Sequence, residues 1–147
     1  MTGKNQDSAV TGSCVCGAIS YRAESLQPIW YCHCQQCRKM TGHFMAAAQV
    51  TLDQMHISGE PKWFYVSEQS RHGFCPECGS QLFWRNDNND YMSVTGGSID
   101  GGVDGDKAIG TLLNKGHIFT AEKGAYYEIP ANEVQSKTWP SDNTSES

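Results

Sequence analysis

The chain has 147 residues, which suits one domain with a core of its own. Its 38% hydrophobic and 18% charged residues are typical of a soluble globular protein and exclude a largely disordered chain. The net charge of −5 gives no sign of the basic surface that nucleic-acid binding requires, so we expect no nucleic-acid partner.

The N-terminal residues favour a cytoplasmic location. The segment MTGKNQDSAVTGS is polar and lacks the apolar stretch of a signal peptide. No run approaches the roughly 18 apolar residues that span a bilayer, so we expect no membrane partner. Because thiols stay reduced in the cytoplasm, the seven cysteines favour metal binding or catalysis over disulfides.

Short aromatic or alternating segments, bounded by Gly, Pro, Asn or Asp, predict a single-domain, mostly β fold. The predicted strands are 17–24, 44–50, 56–58, 62–66, 80–85, 90–96, 117–120 and 126–129. Segment 44–50 also fits a short helix because of its alanines, and one helical turn is expected over 38–40. Segment 86–90 predicts a hairpin loop, since Asn and Asp tolerate left-handed turns. Segment 100–106 lacks the register of a calcium loop and is expected to be flexible.

The strongest metal signal is the pair Cys75 and Cys78 in the turn FCPECGS. Such a turn lets two thiolates converge on one ion while backbone N–H groups point at the sulfurs. Alone it fits zinc or a rubredoxin-type iron site equally. Cys14 and Cys16 are the expected second half, because residues i and i+2 of an extended segment share a face. The closed four-cysteine site would be structural, and its binding free energy would contribute to folding.

The remaining cysteines, Cys32, Cys34 and Cys37, lie within six positions of each other. Three thiolate ligands leave the fourth tetrahedral position open to water or substrate, as in a catalytic zinc site. His33 is a weak candidate for the fourth ligand, since in an extended segment its side chain points away from its cysteine neighbours. Such an open site suits the activation of a thiol or the polarisation of a carbonyl.

Five segments in this order resemble the glutathione-dependent formaldehyde-activating (GFA) family, which includes the centromere protein V type domain. They are GSCVCGAISY, CHCQQCRKMTG, SGEPKWF, GFCPECGSQLFW and VTGGSID. The resemblance runs from about Gly12 to Ile129 and implies a zinc-containing β-tent fold of short antiparallel strands. We therefore expect a flexible N-terminus over 1–11, a GFA-type zinc domain over 12–130, and a C-terminal extension over 131–147 whose end is disordered.

The resemblance also implies roles for the cysteines and a reaction. The outer pairs would hold a structural zinc and the central triplet a catalytic zinc, which gives two Zn²⁺ per chain. The family activity is the condensation of glutathione with formaldehyde to S-hydroxymethylglutathione, classed in reverse as a carbon–sulfur lyase. The expected partners are thus a glutathione-like thiol and a small aldehyde.

Cationic residues near the triplet are candidates for binding the two carboxylates of glutathione. Arg38 and Lys39 directly follow the last ligand of the triplet, and Arg71 is close in sequence to Cys75. The alternative for each is a solvated surface charge.

Histidines and aromatic residues are the other candidates near the site. His43 and His117 are possible proton donors because histidine titrates near neutrality, although each is more often structural. Trp63, Phe83 and Trp84 are interpreted as core aromatics.

Two other functions compete with the lyase. One is a non-enzymatic zinc module that binds a protein or chromatin, which the acidic balance and the missing basic stretch weaken. The other is a thiol redox or metal-handling protein, since the CQQC segment permits a disulfide.

Overall fold

The computed structural model describes residues 9–101 and 115–140, which form ten strands and one α-helix. In chain order the strands are β1 (Val10–Ser13), β2 (Ser20–Ala23), β3 (Trp30–Cys32), β4 (Met45–Thr51), β5 (Met55–Ser58), β6 (Lys62–Tyr65), β7 (Ser70–Phe74), β8 (Gln81–Asn86), β9 (Tyr91–Thr95) and β10 (Gly116–Ile118). The helix, α1, is Gln35–Thr41, and short 3-10 turns lie at Leu52–Gln54, Gly96–Ser98 and Thr120–Glu122. The predicted mostly β fold is confirmed.

The strands form two sheets. One has three strands in the order β1-β2-β5, and the other has seven in the order β10-β3-β4-β9-β8-β7-β6. All pairs are antiparallel except β10 and β3, which run parallel. The prediction of antiparallel strands therefore holds for every pair in the described chain but this one. Strand β1 begins at Val10, so residues 10 and 11, assigned to the N-terminal segment above, pair with β2.

The main core contains buried side chains from both sheets. Tyr21 of the small sheet meets Phe83 of the large sheet edge-on, with ring centroids 5.6 Å apart. Trp63 stacks on Phe83 at 6.0 Å, which confirms the prediction that these two aromatics belong to the core. The other buried members include Val10, Ile19, Ala48, Val50, Leu82, Met92, Val94 and Ile99.

Strand alternation gives the large sheet a second apolar face. In β4, Ala48 and Val50 point into the main core, whereas Met45 and Ala47 join a separate cluster. That second cluster contains Trp30, Cys32, Cys34, Cys37, Met45, Ala47, Trp84, Ile118 and Phe119. Trp84 therefore belongs to a different cluster from Phe83 and lies on the same side as the cysteine triplet.

Helix α1 begins three residues after the end of β3, and both of its ends are capped. The thiol of Cys34 accepts a hydrogen bond from the Cys37 N–H at 3.3 Å, which caps the N-terminus. Gly42, with φ of 87°, ends the helix in the left-handed conformation that glycine favours. The helix starts at Gln35, earlier than the predicted turn over 38–40.

Several predicted segments differ from the structure. Segment 126–129 is not a strand; the Lys123 ammonium donates to the backbone carbonyls of Gly124 and Tyr127 beside it. Strands β1, β3 and β7 were not predicted: β3 has three residues and ends at Cys32, and β1 and β7 lead directly into the cysteine-bearing turns. Segment 44–50 is a strand, and 86–90 forms the expected loop between β8 and β9. Residues 102–106 and 141–147 lie outside the described residues.

Candidate metal centres

The outer four cysteines meet at two turns that belong to different sheets. Cys14 and Cys16 follow β1, and Cys75 and Cys78 follow β7, yet their four sulfurs lie within 4.8 Å of one another. The Cys16 Sγ is 3.7 Å from the Cys14 Sγ and 3.7 Å from the Cys75 Sγ. The structure thus brings together the set that spacing predicted. All four are free thiols.

The geometry of this outer set fits a tetrahedral metal ion. Metal–sulfur bonds of about 2.3 Å place neighbouring sulfurs about 3.8 Å apart in a tetrahedron, close to the distances found here. Backbone N–H groups also point at the sulfurs, as metal-bound thiolates require. The Ile19 N–H donates to Cys14 at 3.2 Å, and the Glu77 N–H donates to Cys75 at 3.3 Å.

The central triplet forms a second, smaller group. Cys32 ends β3, Cys34 caps α1 and Cys37 lies in its first turn, so that the three sulfurs are within 4.8 Å of one another. Among the residues that the structure describes, no fourth His, Cys, Asp or Glu joins this group. It can therefore supply three ligands to a metal ion.

Contacts among the three thiols of the triplet shift their pKa values in opposite directions. Hydrogen bonds from the thiols of Cys32 and Cys37 lower the pKa of Cys34 to about 3. The same contacts raise the pKa of Cys32 to about 12 and also raise that of Cys37. A bound metal ion is what would let all three ionise.

The triplet opens on a cavity of about 450 Å³. All three of its cysteines line the cavity. Aromatic rings supply much of the wall, namely Trp30, Trp84, Phe119 and Trp139. The polar lining consists of Gln36, Gln49, Ser70, Asn86, Ser93 and Glu122. A volume of this size suits a small organic ligand.

The predicted substrate-binding cations do not line this cavity. The Arg38 guanidinium donates to the backbone oxygens of Glu122 and His33, and Lys39 is exposed on α1 outside the lining. Arg71 forms an ion pair with Asp87 at 3.2 Å.

His33 is buried in a chain of hydrogen bonds behind the triplet. Its Nδ1 lies 2.6 Å from the Tyr127 hydroxyl, and its Nε2 lies 2.8 Å from Nδ1 of His117. The Nε2 of His117 donates to the Glu133 carboxylate at 2.6 Å. When both imidazole rings are neutral, each has one N–H donor, so the bond from His117 to Glu133 fixes the direction of the other two hydrogen bonds. Tyr127 donates to His33, and His33 donates to His117. Both ring nitrogens of His33 are thus engaged, which disfavours it as a metal ligand.

Neither candidate proton donor lies in the cavity lining. Both nitrogens of His117 belong to the chain just described, and the Nδ1 of His43 pairs with the Tyr126 hydroxyl at 2.6 Å. Burial lowers the pKa of His33 to about 4, and the neighbouring His117 adds to the lowering. These histidines hold segment 126–133 against β3 and β10.

The sequence did not single out His72 of β7. It pairs with Trp84 across the ladder, so its side chain lies on the cavity side of the sheet. The ring is buried, and in the described part of the chain its Nε2 has no hydrogen-bond partner. Burial lowers its pKa, whereas the charge of Cys34 acts to raise it. The sequence signal for His72 is strand alternation: it lies two residues after Ser70, so both side chains share the face of β7 that borders the cavity.

Trp139 was also missed, because it lies in the segment assigned to a C-terminal extension. Its ring packs edge-on against Phe119 at 5.0 Å and lies 6.3 Å from Trp84. A single Trp in an otherwise polar segment was the available signal. The extension therefore contributes a wall of the cavity.

Comparison with known proteins agrees with this architecture. The family model described as "Glutathione-dependent formaldehyde-activating enzyme" matches residues 9–122. A solved Rhodobacter sphaeroides protein superposes with a TM-score of 0.53 at 22% identity, over 62% of this chain and 88% of that one. That likeness concerns the fold alone. No curated protein shows a significant match.

No helix in the described ranges is long and apolar enough to cross a membrane. The family match spans most of the chain and includes all seven cysteines of the two groups. The chain belongs to the glutathione-dependent formaldehyde-activating enzyme family.

Proposed function

We propose that this chain is a zinc-dependent carbon–sulfur lyase of the GFA type that reversibly joins a thiol and a small aldehyde. The observation that carries the proposal is the position of Cys32, Cys34 and Cys37, whose three thiols line one end of a cavity. A three-cysteine metal site keeps one coordination position for a substrate, whereas a four-cysteine site does not. The family name supports formaldehyde-type chemistry with a thiol.

The donor sets favour zinc at both sites, in different roles. Cys14, Cys16, Cys75 and Cys78 would hold a structural ion that joins the turn after β1 to the turn after β7. The triplet would hold the catalytic ion, and zinc bound there would supply the positive charge that stabilises a substrate thiol as thiolate at neutral pH. Seven free thiols suit a reducing compartment, so we propose the cytoplasm as the location.

The proposed reaction is balanced without an external oxidant. The substrate S–H bond breaks, a C–S bond forms at the carbonyl carbon, and the carbonyl π electrons move to oxygen, which takes up a proton. The product is a hemithioacetal. The amides of Gln49 and Asn86 and the hydroxyls of Ser70 and Ser93 are polar cavity groups available to orient the aldehyde oxygen.

Exchange NMR tests the proposal directly. Formaldehyde is mixed with each of three thiols, namely glutathione, glutathione diethyl ester and 2-phenylethanethiol, and adduct exchange is measured with and without protein. We expect acceleration by the zinc-loaded chain with at least one thiol, and none by the double variant Cys34→Ser/Cys37→Ser. Circular dichroism checks that this variant is folded. No acceleration of any thiol by a chain that holds two zinc ions would overturn the proposal.

A further inference from the structure

We infer that the cavity beside the cysteine triplet selects an uncharged thiol with an aromatic or aliphatic body over glutathione. The inference rests on the proposed function, because it names the substrate class of the same site. It is argued from the walls of the cavity, from the charges that line it, and from the positions of the neighbouring cations.

The walls are suited to an apolar body. Trp84 and Trp139 lie with ring centroids 6.3 Å apart, and Phe119 packs edge-on against Trp139 at 5.0 Å. Trp139 is 51% exposed, so one of its surfaces is available to a ligand. Met45 and Ile118 add aliphatic lining near the triplet. A thiol with an aromatic or aliphatic group would bury that group against these side chains.

The charges in the lining disfavour carboxylates. Among the described residues that line the cavity there is no Lys, Arg or His. Apart from the three cysteines, the ionisable side chain in the lining is that of Glu122. Its carboxylate accepts a hydrogen bond from the Gln35 N–H at 2.9 Å, which holds it at the rim. A ligand carboxylate would meet like charge from Glu122 and no basic side chain among the described lining residues.

Three cations, Arg38, Lys123 and Arg71, are bonded to other groups of the protein. The Arg38 guanidinium donates to the Glu122 carbonyl at 3.2 and 2.9 Å. The Lys123 ammonium donates to the carbonyls of Gly124 and Tyr127 at 2.9 and 2.6 Å. Arg71 pairs with Asp87 and lies 4.6 Å from the centre of the Trp63 ring. Recruiting any of them for a substrate would break these contacts.

Glutathione would therefore lose hydration of its carboxylates in this cavity without gaining an ion pair to a side chain of the described lining. Burying an unpaired carboxylate is strongly unfavourable. An uncharged thiol avoids that loss and keeps the same sulfur for the reaction. Carboxylate charge is thus the property on which the cavity discriminates.

Binding to the zinc-loaded full chain tests the inference. Three of the four tryptophans, Trp30, Trp84 and Trp139, line the cavity, so ligand binding should change the intrinsic fluorescence. Glutathione diethyl ester has the backbone of glutathione without its carboxylates, which makes it the matched probe. We expect the Kd of 2-phenylethanethiol to be about ten-fold or more below that of glutathione, with the ester in between. Glutathione binding as tightly as the other two would overturn the inference.

A pair of charge variants tests the cause. Gln36 lines the cavity, whereas its neighbour Gln35 is exposed and lies outside the lining. We expect Gln36→Lys to tighten glutathione binding several-fold and not to tighten binding of the ester, which keeps the ammonium group of glutathione but lacks its free carboxylates. Gln35→Lys adds the same charge to the chain and should change neither. An equal gain in both variants, or none in either, would contradict the charge-based explanation.

The binding and exchange experiments separate the two proposals. If the uncharged thiol binds more tightly than glutathione but adduct formation is not accelerated, the inferred ligand class stands and the proposed reaction is wrong. If adduct formation is accelerated but glutathione binds more tightly than the other two thiols, the proposed reaction stands and the inference is overturned.

Discussion

The Arg38 guanidinium donates two hydrogen bonds to the backbone carbonyl of Glu122, at 3.2 and 2.9 Å. The Glu122 carboxylate in turn accepts from the Gln35 N–H at the start of α1. The helix that carries Cys37 is thus tied at two points to the 3-10 turn at Thr120–Glu122. This contact gives Arg38 a structural role at the cavity rim; that it also binds substrate stays a prediction.

Arg38→Ala should therefore lower the free energy of unfolding, by about 1–3 kcal/mol, because it removes charge-assisted hydrogen bonds. Lys39→Ala is the matched control, since Lys39 is exposed on the same helix, and it should change stability by less than about 0.5 kcal/mol. Urea unfolding of the zinc-loaded proteins measures both. Equal stability of the two variants would contradict the structural role.

Gly12 of β1 marks a close approach between the small sheet and the turn at Gly96–Ser98. A Cβ at this position would overlap the Tyr21 ring and lie 2.5 Å from the Ser98 carbonyl oxygen. We expect Gly12→Ala to destabilise the fold by about 1–3 kcal/mol through overpacking. Gly97→Ala is the control, because a Cβ there would meet nothing within 4 Å. Thermal unfolding should separate the variants, and a neutral Gly12→Ala would show that this packing is wrong.

The buried His33 predicts a pH dependence of stability. Its pKa falls from 6.5 to about 4 on folding, so the unfolded chain binds more protons between these values. Stability is therefore retained above pH 6.5 and lost as the pH falls towards 4, by about 1 kcal/mol at pH 5.5. Burial shifts the pKa of His72 in the same direction.

His33→Gln is the variant that isolates this effect. Metal loss at low pH affects both proteins, so the test is the difference in urea stability between pH 7.5 and pH 5.5. That difference should be smaller in His33→Gln by about 1 kcal/mol. Ring NMR shifts supply a second readout. A His33 ring that is protonated at pH 6 in the folded protein would contradict the prediction.

Metal content should follow the two cysteine groups separately. We expect two zinc ions per chain, about one in Cys34→Ser/Cys37→Ser with the fold kept, and loss of the fold in Cys75→Ser/Cys78→Ser. Elemental analysis and circular dichroism measure these outcomes. Unfolding of the triplet variant together with an intact Cys75→Ser/Cys78→Ser protein would reverse the proposed roles.

Spacing was sufficient to predict the cysteine groups because metal ligands obey local geometry. Cys32, Cys34 and Cys37 lie on one strand end and the following helical turn, and the knuckle at Cys75 and Cys78 is a single turn. Counting four ligands then assigned Cys14 and Cys16 to the knuckle. The mostly β fold was similarly accessible from strand alternation.

The cavity wall and the histidine chain depend on contacts that are distant in sequence. His33 contacts Tyr127 and His117, and Trp139 contacts Trp84. These partners are far apart in the sequence, so a local sequence pattern does not predict the contacts. The pair Tyr126–Tyr127 looked like a strand because of its aromatic residues. Its hydroxyls instead bind histidines, an outcome fixed by tertiary packing rather than by β propensity.

The central claim is that the triplet holds a metal ion with one position free for a thiol. Cobalt(II) substituted for zinc reports this directly, since thiolate coordination produces intense sulfur-to-cobalt absorption bands. We expect 2-phenylethanethiol to change the spectrum of the wild-type protein and to leave unchanged the single closed site of Cys34→Ser/Cys37→Ser. A wild-type spectrum that none of 2-phenylethanethiol, glutathione diethyl ester and glutathione changes, or a change that persists in the variant, would contradict the claim.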